Sequence, residues 1–245
     1  MIDIHCHILP QVDDGSKSWE MSLEMCRMAA GDGIEHIVAT PHANDRYIYD
    51  RKSLGLRLDE LRSKNPLGPR LSLGCDFHLS YDNLQDALLH PDKYIIENTN
   101  YLLVELSNFS IPININDGFA QLGRKGLTPI LTHPERNPIL QKNPERVLQW
   151  IELGCVVQVT AAVVTGSWGE LAWRTAEWLL KRNAVHIVAT DAHDTKHRVP
   201  ILSSARDMIA DYYGSEVAQA LVNDNPSAII NNLPLPYFPD PVIKN

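Results

Sequence analysis

The sequence predicts an α/β fold, a distorted seven-unit βα barrel of the TIM type. One domain over residues 1–245 carries it, with a proline-rich tail from about 233. Three observations point there. Short apolar runs alternate with helical stretches along the chain. Six of the runs end on metal-type ligands: His5-Cys6-His7, His42, Asp76, Glu105, His133 and Asp191 to His193. Two runs nearly repeat each other, IEHIVATPH ending at His42 and VHIVATDAH ending at His193. Apolar or β-branched residues followed at once by an ionisable side chain mark buried parallel strands with functional C-terminal ends. In a closed βα barrel those ends open on one face, so residues far apart in sequence converge.

The elements follow in order. Strands are expected at Ile2–Cys6, Glu35–Thr40, Leu71–Cys75, Tyr101–Leu106, Pro129–Thr132, Cys155–Thr160 and Val185–Thr190. A first helix over Ser16–Ala30 sets Trp19, Leu23, Cys26 and Ala30 on one face and stops at Gly31 and Gly33. Leu54, Leu58 and Leu61 form a second stripe that ends near Asn65-Pro66. Helices over Asn114–Arg124, Pro144–Leu153 and Trp168–Arg182 come next, the last with Leu171, Thr175, Trp178 and Leu179 expected on one face. Strict alternation of strand and helix implies a parallel sheet with right-handed crossovers.

Composition bounds the function. With 245 residues, 44% of them hydrophobic, the chain can bury one large core. Its net charge of −8 excludes nucleic-acid binding through a diffuse basic surface. Cys6, Cys26, Cys75 and Cys155 form no CxxC pair, and no arginine stands six positions after any of them. Buried free thiols are therefore expected, and a cysteine-dependent phosphatase loop is absent. No apolar run reaches the roughly 18 residues of a membrane span. With no leader pattern at the N-terminus, a cytoplasmic protein that does not insert in a membrane is expected.

The chemistry sits in the strand ends. Asp3, His5 and His7 alternate, which is expected to send all three to one face. His42, His133 and His193 add three more strands that end in histidine. Glu105 follows Leu102-Leu103-Val104, where a bare carboxylate is costly unless paired or metal-bound. Asp76 and Asp191 close two further runs, and Asp14 lies in a Val12-Asp13-Asp14-Gly15 loop that also reads as a plain turn. His36 and His186 lie at the opposite strand ends and read as structural; His78, His90 and His197 fall in expected loops. Nine nitrogen and oxygen ligands without thiolates are too many for one ion, and two or three divalent cations account for them. Such a cluster suits phosphoryl transfer, for which Arg136 and Arg198 supply bidentate donors.

MIDIHCHILPQVDDG, ATPH, GCDFH, LLVEL, LTHPER and ATDAH followed by Arg198 occur in this order over residues 1 to about 232. The set resembles the polymerase and histidinol phosphatase (PHP) superfamily, and within it the bacterial manganese-dependent protein-tyrosine phosphatases of capsule and exopolysaccharide synthesis. The resemblance implies the PHP fold and a three-metal site. One ion would take His5, His7, Asp76 and Asp191; a second would share Asp76 with Glu105 and His133; a third would use Asp14, His42 and His193. Mn²⁺ is the expected metal, with Fe, Mg or Zn as alternatives. Arg136 and Arg198 match the family's phosphate-binding arginines. Where the relatives carry glutamate this chain has Asp76, one methylene shorter.

The implied reaction is direct hydrolysis of a phosphate monoester, with Arg136, Arg198 and Asp14 as the acting side chains. The implied substrate is a phosphotyrosyl protein, the tail of a membrane-associated bacterial tyrosine kinase. The alternative is a small-molecule phosphatase of the histidinol-phosphate kind. An amidohydrolase-like barrel and a metal-stabilised binding module are further rivals. The segment Asn44–Tyr49 follows a site strand and is expected to wall the cleft.

Overall fold

The computed structural model describes residues 1–242. Among the described residues nine short strands build the framework: β1 (Ile2–Cys6), β2 (His36–Ala39), β3 (His42–Ala43), β4 (Arg70–Leu73), β5 (Asp76–His78), β6 (Tyr101–Glu105), β7 (Thr128–Thr132), β8 (Val156–Thr160) and β9 (Ile187–Ala189). All pair in parallel, in the orders β1-β2-β4 and β3-β5-β6-β7-β8-β9. The nine make seven units, because two of the expected strands are each followed, across a break, by a second short strand, β3 and β5. Pro41, which has no N–H to give the ladder, separates β2 from β3. Gly74 separates β4 from β5 where the backbone runs close to Val38; a Cβ there would lie 2.9 Å from Val38 Cγ1. An isolated bridge between Cys6 and Ala192, with His7 N–H donating to the Ala192 carbonyl at 2.8 Å, links the first unit to the last. The seven-unit expectation holds, and the distortion lies in these two jogs and the single-bridge closure.

Alternation along the strands separates two cores. Ile4, Val38, Leu103, Ile130, Val156 and Ile187 belong to one buried cluster contributed by successive strands. The larger cluster packs strands against the outer helices, and includes Leu58, Leu61, Phe119, Leu131 and Trp150. The first helix spans Trp19–Gly31, with the Ser18 hydroxyl accepting from Met21 N–H as its cap. The helix Arg51–Lys64 buries the expected Leu54, Leu58 and Leu61. In the helix Glu170–Leu180 the buried face is instead Ala172, Thr175, Ala176 and Leu179, while Leu171 is exposed. That stripe keeps Thr175 and Leu179 from the expected one and adds Ala172 and Ala176, which cluster with Val163. Helices at Tyr81–Leu89 and Ser203–Tyr213 and a helical run through Ser215–Ile230 add to the expected set. His78 ends β5 rather than lying in a loop.

The proline-rich tail is extended and anchored. The Asn225 side chain bonds the Tyr237 backbone at both N–H and carbonyl, and the Phe238 ring stacks on His186 at 4.1 Å. His186 and His36 are structural, as expected: His186 Nδ1 accepts from Val157 N–H, and His36 Nε2 meets the Ser72 hydroxyl at 2.9 Å. All four cysteines are free and buried. Among the described residues no helix is long and apolar enough to cross a membrane.

Candidate active site

The C-terminal strand ends bring all nine expected ligands together. His5 Nε2 lies 3.6 Å from Asp76 Oδ2 and 3.5 Å from Asp191 Oδ1. His7 Nε2 lies 3.3 Å from Asp191 Oδ1, and His42 Nδ1 lies 3.0 Å from Asp76 Oδ2 and 3.7 Å from Glu105 Oε2. Asp14 Oδ1 sits between His42 Nε2 at 3.3 Å and His193 Nε2 at 3.5 Å. Among the described residues four groups of ligand atoms are compact enough to hold a cation: His7, Asp14, His42 and His193; His5, His7 and Asp76; His5, His133 and Asp191; and His42, Asp76 and Glu105. The resemblance grouped His133 with Asp76 and Glu105; here its ring converges with His5 and Asp191, and Glu105 lies 4.0 Å away.

Backbone geometry aims several of these side chains. His133 (φ 35°) and Asp191 (φ 49°) occupy left-handed conformations right after β7 and β9. Such strain is retained where the surroundings over-determine it, often at functional sites. At His133 it turns the chain into a short 3₁₀ segment, Pro134–Arg136, that places Arg136 beside the ligands. Asp3 was not among the nine expected ligands. It lies lower in the barrel, accepts from Thr190 N–H at 3.0 Å, and joins none of the ligand groups. His7 lies beyond the end of β1, past an irregularity in the β1–β2 pairing, so simple alternation does not relate it to Asp3.

Three supporting residues escaped the sequence reading. Asp13 Oδ2 accepts from His7 Nδ1 at 2.8 Å and from His42 N–H at 3.2 Å, while its Oδ1 accepts from Gly15 N–H. Gln158 Oε1 accepts from His5 Nδ1 at 3.0 Å. These bonds fix each ring's tautomer and leave the Nε2 lone pairs facing inward. The signal for Gln158 was present, since a lone amide within the buried run VVQVT needs a partner. The third residue is Trp168, whose indole lies under both arginines: the Arg136 and Arg198 guanidinium carbons are 4.2 and 5.2 Å from its ring centroid. Both arginines donate to Asp191 Oδ2.

The residues fit a cation cluster. The Nε2 atoms of His5 and His7 are 3.3 Å apart with both Nδ1 atoms already engaged, so two lone pairs confront each other. His42 Nδ1, both Asp76 carboxylate oxygens and His193 Nε2 are buried without a hydrogen-bond partner. Such orphaned acceptors pointing at a common space call for positive charge. The electrostatics agree. Burial and the neighbouring Asp76 charge push the Glu105 carboxyl up to about 7. Burial also acts on Asp191, yet the charges of Arg136, His5 and Arg198 hold its carboxyl well below the usual range. The close approach of the His193 and His42 rings keeps Asp14 ionised, a state better suited to a ligand than to an acid.

The rim is open. Tyr47 stacks on His42 at 5.9 Å, as expected of a cleft wall, while Tyr49 is buried and donates to the Gly74 carbonyl. A cleft of about 290 Å³ beside Glu105 is bounded by Arg46, His78 and Phe109.

The model of the capsular polysaccharide synthesis family CpsB/CapC matches residues 1–231. The chain belongs to this family. Its CpsB/CapC relatives include the tyrosine-protein phosphatase YwqE of Bacillus subtilis (strain 168), 31% identical over 99% of this chain and 96% of the relative. Another is the tyrosine-protein phosphatase CpsB of Streptococcus pneumoniae, 31% identical over 94% and 98%. A solved chain from the crystal structures of YwqE from Bacillus subtilis and CpsB from Streptococcus pneumoniae, described there as unique metal-dependent tyrosine phosphatases, superposes with a TM-score of 0.91. Its sequence identity is 31%, and 100% of both chains is covered. A lactonase from Listeria monocytogenes, at 14% identity and a TM-score of 0.55 over 95% of both chains, shares the fold.

Proposed function

We propose that this CpsB/CapC chain is a metal-dependent protein-tyrosine phosphatase of capsular polysaccharide synthesis, acting as one catalytic unit over its length. What carries the proposal is one juxtaposition: an acceptor cluster built for cations lies against two arginines that converge on one oxygen. The ligands would be His5, His7, Asp14, His42, Asp76, Glu105, His133, Asp191 and His193, and two or three Mn²⁺ ions fit their nitrogen and oxygen character. Bound divalent cations would polarise the phosphoryl oxygens and make hydroxide available near neutral pH. Arg136 and Arg198 orient the phosphoryl group and offset charge on its equatorial oxygens. Asp13 and Gln158 hold protons on His7 Nδ1 and His5 Nδ1, which keeps the facing nitrogens basic. A phenolate leaving group, with a pKa of about 10, needs little protonation.

The substrate would be a phosphotyrosyl protein, with a membrane-associated tyrosine kinase as the partner and the cytoplasm as the compartment. The open rim, where Phe109 and Ile48 stand exposed, supports a protein substrate over a small enclosed one. The test is parallel turnover of a phosphotyrosyl peptide and histidinol phosphate by chelated and Mn²⁺-reloaded protein. Turnover restored by metal and strongly favouring the peptide is expected. A large preference for histidinol phosphate, or activity indifferent to chelation, would overturn the proposal.

A further inference from the structure

We propose that Trp168 is a positioning residue, a shared aromatic platform that presets Arg136 and Arg198 as one anion clamp; the inference rests on the phosphatase reading above. Both guanidinium carbons lie within the roughly 6 Å over which a ring face attracts a cation. The two groups also donate to a single oxygen, Asp191 Oδ2, so two like charges are crowded together at a half-buried site. Asp191 engages one N–H group of each arginine, and a second carboxylate would compete with phosphate for the remaining donors. An indole face offsets the charge and uses none of them. Arg198 Nε, buried and without a partner, is one such free donor.

The platform is itself braced. Trp168 packs on Val163, Ala172 and Ala176, a small cluster separate from the main core. Gly169, at φ +96°, lets the chain turn from Trp168 into the helix Glu170–Leu180. Trp168 thus belongs to a rigid helix–turn–helix corner, whereas the arginines follow β7 and β9. The corner fixes the spacing between them.

The experiment measures calorimetric binding of inorganic phosphate to manganese-loaded wild-type, Trp168→Leu and Trp168→Phe proteins, with metal content and aryl phosphate kinetics alongside. Trp168→Leu is expected to bind phosphate about tenfold more weakly. It should raise KM more than it lowers kcat, and should keep the wild-type manganese content. Trp168→Phe, which retains a ring face, should recover most of the loss. Wild-type phosphate binding by Trp168→Leu would overturn the platform, as would an equal loss in both variants. A wild-type protein that binds phosphate but hydrolyses no aryl phosphate would overturn the functional reading alone, because the order of the three affinities still reports on the platform.

Discussion

At His7 the Nδ1 proton is committed to Asp13, so only Nε2 faces the centre. Outer-sphere partners of this kind typically contribute 10- to 100-fold to metal affinity. Asp13→Ala is therefore expected to weaken manganese binding by about that factor in a metal titration, and an unchanged affinity would remove Asp13 from the site. Replacing Arg136 or Arg198 by alanine should lower kcat/KM on a phosphotyrosyl peptide by about 10²–10³-fold, as loss of one charge-stabilising donor does elsewhere. Eight of the nine candidate ligands were legible because they stand at or just past the end of an apolar run, where a bare ionisable group is costly; Asp14, in a loop, was not marked in this way. Asp13 was hidden by its twin Asp14 in a loop that any turn composition would fit. Trp168 carried no signal at all, since its role depends on arginines 32 residues before it and 30 after it, at positions 136 and 198.

The VDDG loop shows why glycine closes it. A Cβ on Gly15 would stand 2.2 Å from the His7 carbonyl oxygen and 2.4 Å from His7 Cβ. Ser16 N–H donates to that same carbonyl at 3.0 Å, which holds the loop against His7 with Asp13 and Asp14 at the site. Gly15→Ala should displace the loop at a cost of about 1–3 kcal/mol. Manganese content should fall while the circular dichroism signature of the helices persists; full metal occupancy in that variant would contradict the steric account. Among the elements, strands and the Leu54–Leu58–Leu61 helix were readable from period alone. The run Ser215–Ile230 was not, because it contains a π-helical stretch, Ala220–Asp224, and then Pro226, which reads as a breaker although it sits at a first-turn position. The short continuations β3 and β5 escaped notice for a similar reason: the apolar runs end at Thr40 and Cys75, beside Pro41 and Gly74, and pairing resumes only past them.

Across the whole molecule, carboxylates crowded at one mouth should make stability depend on metal. Manganese at about a hundredfold excess over Kd should add about 2.7 kcal/mol, a rise in Tm of about 5–10 °C, and chelation should reverse it in a thermal melt. Acid acts through a different group. Burial pushes His186 down to about 3 and His36 to about 4, against 6.5 for the free side chain. The unfolded chain binds these protons first, so stability is full above pH 6.5 and falls as pH drops through 6.5 toward the folded values. For fully buried His186 the slope is about 1.4 kcal/mol per pH unit. A His186→Gln variant should show a shallower decline than wild type between pH 6.5 and 4; parallel curves would refute the assignment. The barrel class was legible from alternation, but its closure was not, because a single bridge between Cys6 and Ala192 makes the join. That bridge has a biosynthetic consequence. A nascent chain still lacking residues 191–193 holds His5 and His7 without their Asp191 and His193 partners. Competence would thus arrive only once residues 191–193 have been made, and a product stopped before them would be inert rather than an unregulated hydrolase.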